Sequence, residues 1–201
     1  MSYEWVKYLM PLAGVGLGVY LAPYIESRKS KSESKRAINC FYAELADYEK
    51  AVSSYVKNYY ESYWILWKAD KGQEFNDRFY KLTLAPRLEF LSLETLLSKS
   101  LLELSSDQRT AVKALKSLAD KINKNSELIG RAEREEDLVR LIGKFRANTE
   151  MLASFYYLVS RMHHEAERFA YLDLTNSEVV EKVKGVLGVS FDWKDLAKAN
   201  V

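Results

Sequence analysis

Cysteine, histidine, proline and glycine are all scarce in this chain. One cysteine in 201 residues excludes a disulfide framework and a thiolate metal centre, and it suits a reducing compartment. Three prolines and eight glycines supply too few turn formers for a sandwich or barrel of short strands. The only two histidines, His163 and His164, are adjacent, so no second histidine motif exists to complete a metal centre. A phosphate-cradling glycine loop, a dinucleotide fingerprint, a nucleophile elbow and paired catalytic carboxylates are also missing. The formal net charge is only +2, which is no basis for a nucleic-acid partner. These absences point to a protein that is not an enzyme, with no catalytic residues, no metal and no cofactor.

What the chain does have begins near its start. From Tyr8 to Ile25 run 18 residues without a charge, YLMPLAGVGLGVYLAPYI. As a helix this run would span roughly 27 Å, close to the hydrocarbon thickness of a bilayer. Tyr3, Trp5 and Tyr8 flank one end and Tyr20 and Tyr24 the other, as interfacial aromatic rings do. Residues 1–26 are therefore expected to be a single transmembrane anchor. Gly14, Gly18 and Ala22 recur every four residues and form one small-residue helix face, the pattern of packed membrane helices. Self-association through that face is expected, giving a homo-oligomer.

Residues 27–36 form a basic juxtamembrane segment with Arg28, Lys29, Lys31, Lys35 and Arg36, against Lys7 alone before the run. The positive-inside rule then places the C-terminal part in the cytoplasm. The same cations suit anionic lipid headgroups, each contributing about 1 kcal/mol near the surface.

Residues 37–201 read as helices throughout. Ile38, Leu45, Val52, Tyr59 and Leu66 occupy one heptad position and Phe41, Tyr48 and Tyr55 another, so one helix should run to the stop at Asp70-Lys71-Gly72. A short amphipathic stretch with Phe75, Phe79 and Leu82 follows. Beyond Pro86, the residues Leu88, Leu91, Leu97, Leu101 and Leu104 predict a further helix with one buried face. Ser105-Ser106-Asp107 reads as the cap of the next helix, with Val112, Leu115, Leu118, Ile122 and Leu128 inward. Charges around Arg131–Asp137 mark a junction.

A second heptad run places Leu138, Phe145, Leu152, Val159 and Ala166 at one position and Leu141, Asn148, Phe155, Met162 and Phe169 at the other. Asn148 alone breaks the stripe, as a register-setting polar residue does. Thr175-Asn176-Ser177 caps a last helix with Val179, Val180, Val183 and Leu187 inward and Gly188 at its end. A terminal piece carries Phe191, Trp193 and Leu196. The expected fold is all-α: one transmembrane helix, then a cytoplasmic antiparallel bundle with two long heptad-patterned helices.

Few side chains suggest chemistry. His163 and Glu167 lie at i and i+4, but no second E-x-x-H or H-x-x-E cluster exists to supply a further ligand. Arg109, Lys113 and Lys116 share a face, flanked by Asp107 and Asp120, as on a solvated helix. Tyr42, Tyr48, Tyr55, Tyr59, Tyr60, Tyr63, Trp64 and Trp67 crowd one helix, and Tyr59, Tyr60, Tyr63, Trp64 and Trp67 are candidates for a protein–protein interface. Cys40 is expected to be a small buried side chain.

Arg161-Met162-His163 resembles the start of the HEPN ribonuclease motif, an arginine and a histidine with four to six residues between them. Ala166, Glu167 and Arg168 stand where the closing histidine belongs, so Arg161 and His163 alone carry over. Together with one N-terminal span and a helical bundle, this resembles the small single-pass membrane effectors of bacterial anti-phage and CRISPR accessory systems. That resemblance implies a divergent HEPN-like bundle at the bacterial inner membrane, acting by permeabilising it in anti-phage defence. The alternatives are a membrane-tethered adaptor docking a cytosolic protein partner, and a HEPN-type ribonuclease.

Overall fold

The computed structural model describes residues 4–71, 82, 84–134 and 138–189, with side chains described for 17–71, 82, 84–131 and 138–189. Among the described residues there are five α-helices and no strand: α1 (Glu4–Asp70), α2 (Leu93–Lys99), α3 (Ser106–Arg134), α4 (Leu138–Glu165) and α5 (Asn176–Leu187). The all-α expectation holds. Contacts divide the chain into two units, one of Met1–Phe41 with Ser92–Glu103, the other of Tyr42–Leu91 with Leu104–Val201.

One helix, α1, runs without interruption through the expected anchor, the basic segment and the first heptad stretch. Between Tyr24 and Asp70 there is neither glycine nor proline, so nothing local interrupts the helical ladder. Even Pro23 lies inside α1. The stop arrives where expected, with the Lys71 N–H closing the last turn on the Trp67 and Lys68 carbonyls. Among the described residues no helix is long and apolar enough to cross a membrane. Residues 8–16 of the anticipated span lie outside those whose side chains are described.

In the first unit, α1 packs against the α2 segment. Glu33 pairs with the Lys99 ammonium at 2.8 Å, the Ser34 hydroxyl donates to the Lys99 carbonyl, and the Ser100 hydroxyl donates to the Ser34 carbonyl at 3.0 Å. Ala37, Phe41, Leu93 and Leu96 are buried. At about 100° per residue, Ser34, Ala37 and Phe41 occupy a narrow arc of α1, and the five cations of residues 28–36 lie outside that arc.

The second unit is a bundle. Tyr48 meets Phe155 with ring centroids 5.7 Å apart, and Tyr59 meets Phe145 at 5.2 Å, so α1 and α4 run antiparallel. Asn125 donates to the Lys144 carbonyl at 2.9 Å across the antiparallel pair of α3 and α4. Tyr42 meets Gln108, and Tyr59 meets Ser126, so α1 and α3 run parallel. Both heptads form the core: Leu45, Val52, Tyr59 and Leu66 are buried on α1, and Phe145, Leu152, Val159, Leu141, Asn148, Phe155 and Met162 on α4. The caps also hold. Ser105 and Gln108 form a reciprocal capping box on α3, Thr175 and Glu178 another on α5, and Gly188 ends α5 with a φ of 67°.

A parallel α1 and α3 require a return connection, and it is not the helix anticipated after Pro86. Residues 84–91 are non-helical, and α2 is only seven residues long. Pro86 holds Ala85 out of the helical region. Side chains from the flanking helices then take the backbone donors a helix would have used. Tyr59 accepts from Ala85 at 3.2 Å, Asn123 from Leu88 at 2.8 Å, Tyr48 from Glu89 at 3.0 Å and Glu44 from Leu91 at 2.6 Å. Leu88 and Leu104 are buried, but Leu91 is exposed. Phe75, Phe79, Phe191, Trp193 and Leu196 lie outside the described residues.

Candidate functional site

The antiparallel pairing of α1 and α4 brings together side chains more than 100 positions apart. Glu49 lies beside the buried Leu45 and Val52, at the edge of the α1 stripe. Ser160 and His163 flank the buried Val159 and Met162 on α4, and His164 lies at its solvent side. The Ser160 hydroxyl donates to Glu49 Oε1 at 2.6 Å. His163 Nδ1 meets Oε2 at 2.7 Å, and His164 Nε2 meets Oε1 at 3.0 Å.

The two imidazoles tilt against each other with centroids 4.7 Å apart. Exposure is graded: the Glu49 side chain is 18% exposed, His163 33% and His164 65%. Burial pushes the Glu49 carboxyl upward, but the hydrogen bonds from Ser160, His163 and His164 together outweigh it and hold it below the ordinary range. One ligand atom from each of Glu49, His163 and His164 lies within 4.8 Å of the others. The cluster is a carboxylate clamped by two imidazoles and one hydroxyl, open to solvent on the His164 side.

No protein-family model, curated protein or solved structure matches this chain.

Arg161 and His163 do not come together. Two positions apart on a helix, they lie roughly 200° apart around its axis. Arg161 grips both oxygens of Glu165 at 2.6 Å, donates to the Ala170 carbonyl at 2.8 Å, and lies over the Phe169 and Tyr157 rings. That bidentate pair holds Arg161 above its ordinary pKa and Glu165 below its own. His163 instead faces α1. Its relation to Glu167, anticipated at i+4, is replaced by the contact with Glu49.

Arg28, Lys29, Lys31, Lys35 and Arg36 are all exposed, with the Arg28 guanidinium 4.8 Å from the Tyr24 ring centre. Gly18 has open space where a Cβ would stand and Ala22 is exposed; the surroundings of Gly14 lie outside the described side chains. Tyr59, Tyr60 and Tyr63 are buried in the bundle, so their rings are interior contacts. Trp64 and Trp67 are half-buried and stack on each other, centroids 5.5 Å apart, with Lys68 over Trp64. Cys40 is exposed, contrary to expectation, because it lies off the arc that holds Ala37 and Phe41. Arg109 donates to the Leu104 carbonyl at 2.6 Å and so braces the start of α3.

Sequence reasoning missed Glu49. An isolated acidic residue beside a heptad stripe carries no local signal of chemistry, and its partners appear only once α1 and α4 are paired.

Proposed function

We propose that this protein is a membrane-tethered, self-associating helical effector that perturbs the bilayer through α1 and holds its bundle at the cytoplasmic face. The observation that carries this reading is the surface of residues 17–25. All nine are exposed and uncharged, and Leu17, Val19, Tyr20, Leu21, Tyr24 and Ile25 present large apolar side chains around the helix except on the strip of Gly18 and Ala22. A helix apolar all round needs a cover of lipid or of other apolar helices. The exposed cations of residues 28–36 begin within a turn of this surface and continue over about three turns, where anionic headgroups would meet them. Gly14, Gly18 and Ala22 supply the face on which neighbouring copies of α1 approach. Such a layout is what the likeness to anti-phage membrane effectors implies.

A Cβ added at Gly18 meets nothing within 4 Å in the isolated chain. Gly14→Ile with Gly18→Ile should therefore leave helical circular dichroism unchanged, shift the detergent-solubilised protein to smaller species, and abolish dye leakage from anionic liposomes. Unchanged size and leakage in the double variant would overturn assembly through this face. The adaptor reading has one supporting observation, the stacked and partly exposed Trp64–Trp67 pair. A monomer in detergent that causes no leakage would favour it.

A further inference from the structure

We infer that Glu49, His163 and His164 form a binding site for one divalent transition-metal ion of the zinc class, which joins α1 to α4. This goes beyond the membrane reading and does not depend on it, since all three residues belong to the bundle.

The donor set is the first reason. Two imidazole nitrogens and a carboxylate oxygen are a common zinc triad, with the fourth position left for water or another ligand. The spacing is the second. Around a zinc ion with bonds near 2.1 Å, tetrahedral ligand atoms sit about 3.4 Å apart. Here the two nitrogens stand 2.7 and 3.0 Å from the carboxylate oxygens, and one atom from each residue lies within 4.8 Å of the others. The nitrogens stand closer to the carboxylate than ligand atoms around an ion do, so the rings must shift outward to enclose one.

Support from the surroundings is the third. A ligating carboxylate is normally oriented by a hydrogen bond from outside the ligand set, and Ser160 provides one to Glu49 Oε1 at 2.6 Å. Exposure completes the argument, because the His164 side of the cluster opens to solvent and gives an ion a path in. Without an ion, the His164 contact contributes little to stability, because that imidazole is 65% exposed.

The test uses full-length protein without a histidine tag, stripped of metal by chelator and titrated with Co²⁺ and, by calorimetry, with Zn²⁺. The expected result is one equivalent bound, with Co²⁺ giving the intense visible absorption of a near-tetrahedral site. Cys40→Ser should leave this unchanged. Glu49→Gln keeps the shape and removes the charge, and it should weaken binding by a factor of ten or more while leaving the circular dichroism intact. His163→Ala should abolish the visible band. Ser160→Ala should weaken binding by about 10- to 100-fold, as loss of an orienting partner does. Zn²⁺ should raise the melting temperature of the parent protein but not of Glu49→Gln. Failure to bind a stoichiometric ion would overturn the inference, as would binding that survives Glu49→Gln or disappears in Cys40→Ser.

Discussion

Asn148 shows how far a single residue could be read in advance. Its break in the α4 stripe is visible in the sequence, and the structure buries it completely, with Nδ2 donating to Ser126 Oγ at 3.1 Å. Among the described residues its Oδ1 is buried with no hydrogen-bond partner. A buried acceptor left unpaired costs about 1–3 kcal/mol, and leucine keeps the same branched four-atom outline with bulkier, apolar ends. Asn148→Leu should therefore raise stability by about 1 kcal/mol, read as a later denaturant midpoint at unchanged slope. A loss of stability would mean that the amide is more valuable in place than its geometry suggests. Glu49 is the opposite case. It is separated from its partners by 111 to 115 positions, and nothing within a helical turn distinguishes it from any solvated glutamate. Charge and spacing identified Arg161 and His163 as residues to examine, but not the opposed directions in which they face.

At the scale of elements, strong periodicity was legible and tertiary override was not. The heptads of α1 and α4, the capping box before α3 and the Thr175–Gly188 boundaries of α5 all express local preference, so local reasoning locates them. The 84–91 connection follows another rule. Its leucines read as a helix face, but its backbone donors are satisfied by Tyr59, Asn123, Tyr48 and Glu44, side chains 26 to 47 positions away. Asn123 is central, because it both accepts from the Leu88 N–H at 2.8 Å and donates to its carbonyl at 2.9 Å. Asn123→Ala leaves both backbone groups of Leu88 unpaired. It should cost about 1–3 kcal/mol and increase amide exchange and proteolytic nicking across residues 84–91. Protection equal to that of the parent protein would show that the connection is held by its apolar contacts alone.

At the scale of the whole molecule, the account turns on what covers the apolar surface of residues 17–25. The composition of the N-terminal run and the cations after it are legible in sequence. The continuity of α1 through the basic segment is not, because charge patterns suggest boundaries that the helical backbone ignores. The most direct measurement places an environment-sensitive fluorophore on a cysteine at position 17, near the middle of the uncharged run, in a Cys40→Ser background. Anionic liposomes are then added that carry nitroxide quenchers at known depths. If α1 enters the bilayer, emission shifts to the blue and quenching is strongest from nitroxides near the bilayer centre, while a fluorophore at position 105 stays in water. If position 17 remains as accessible to water-soluble quenchers as position 105, α1 does not insert and the membrane account fails.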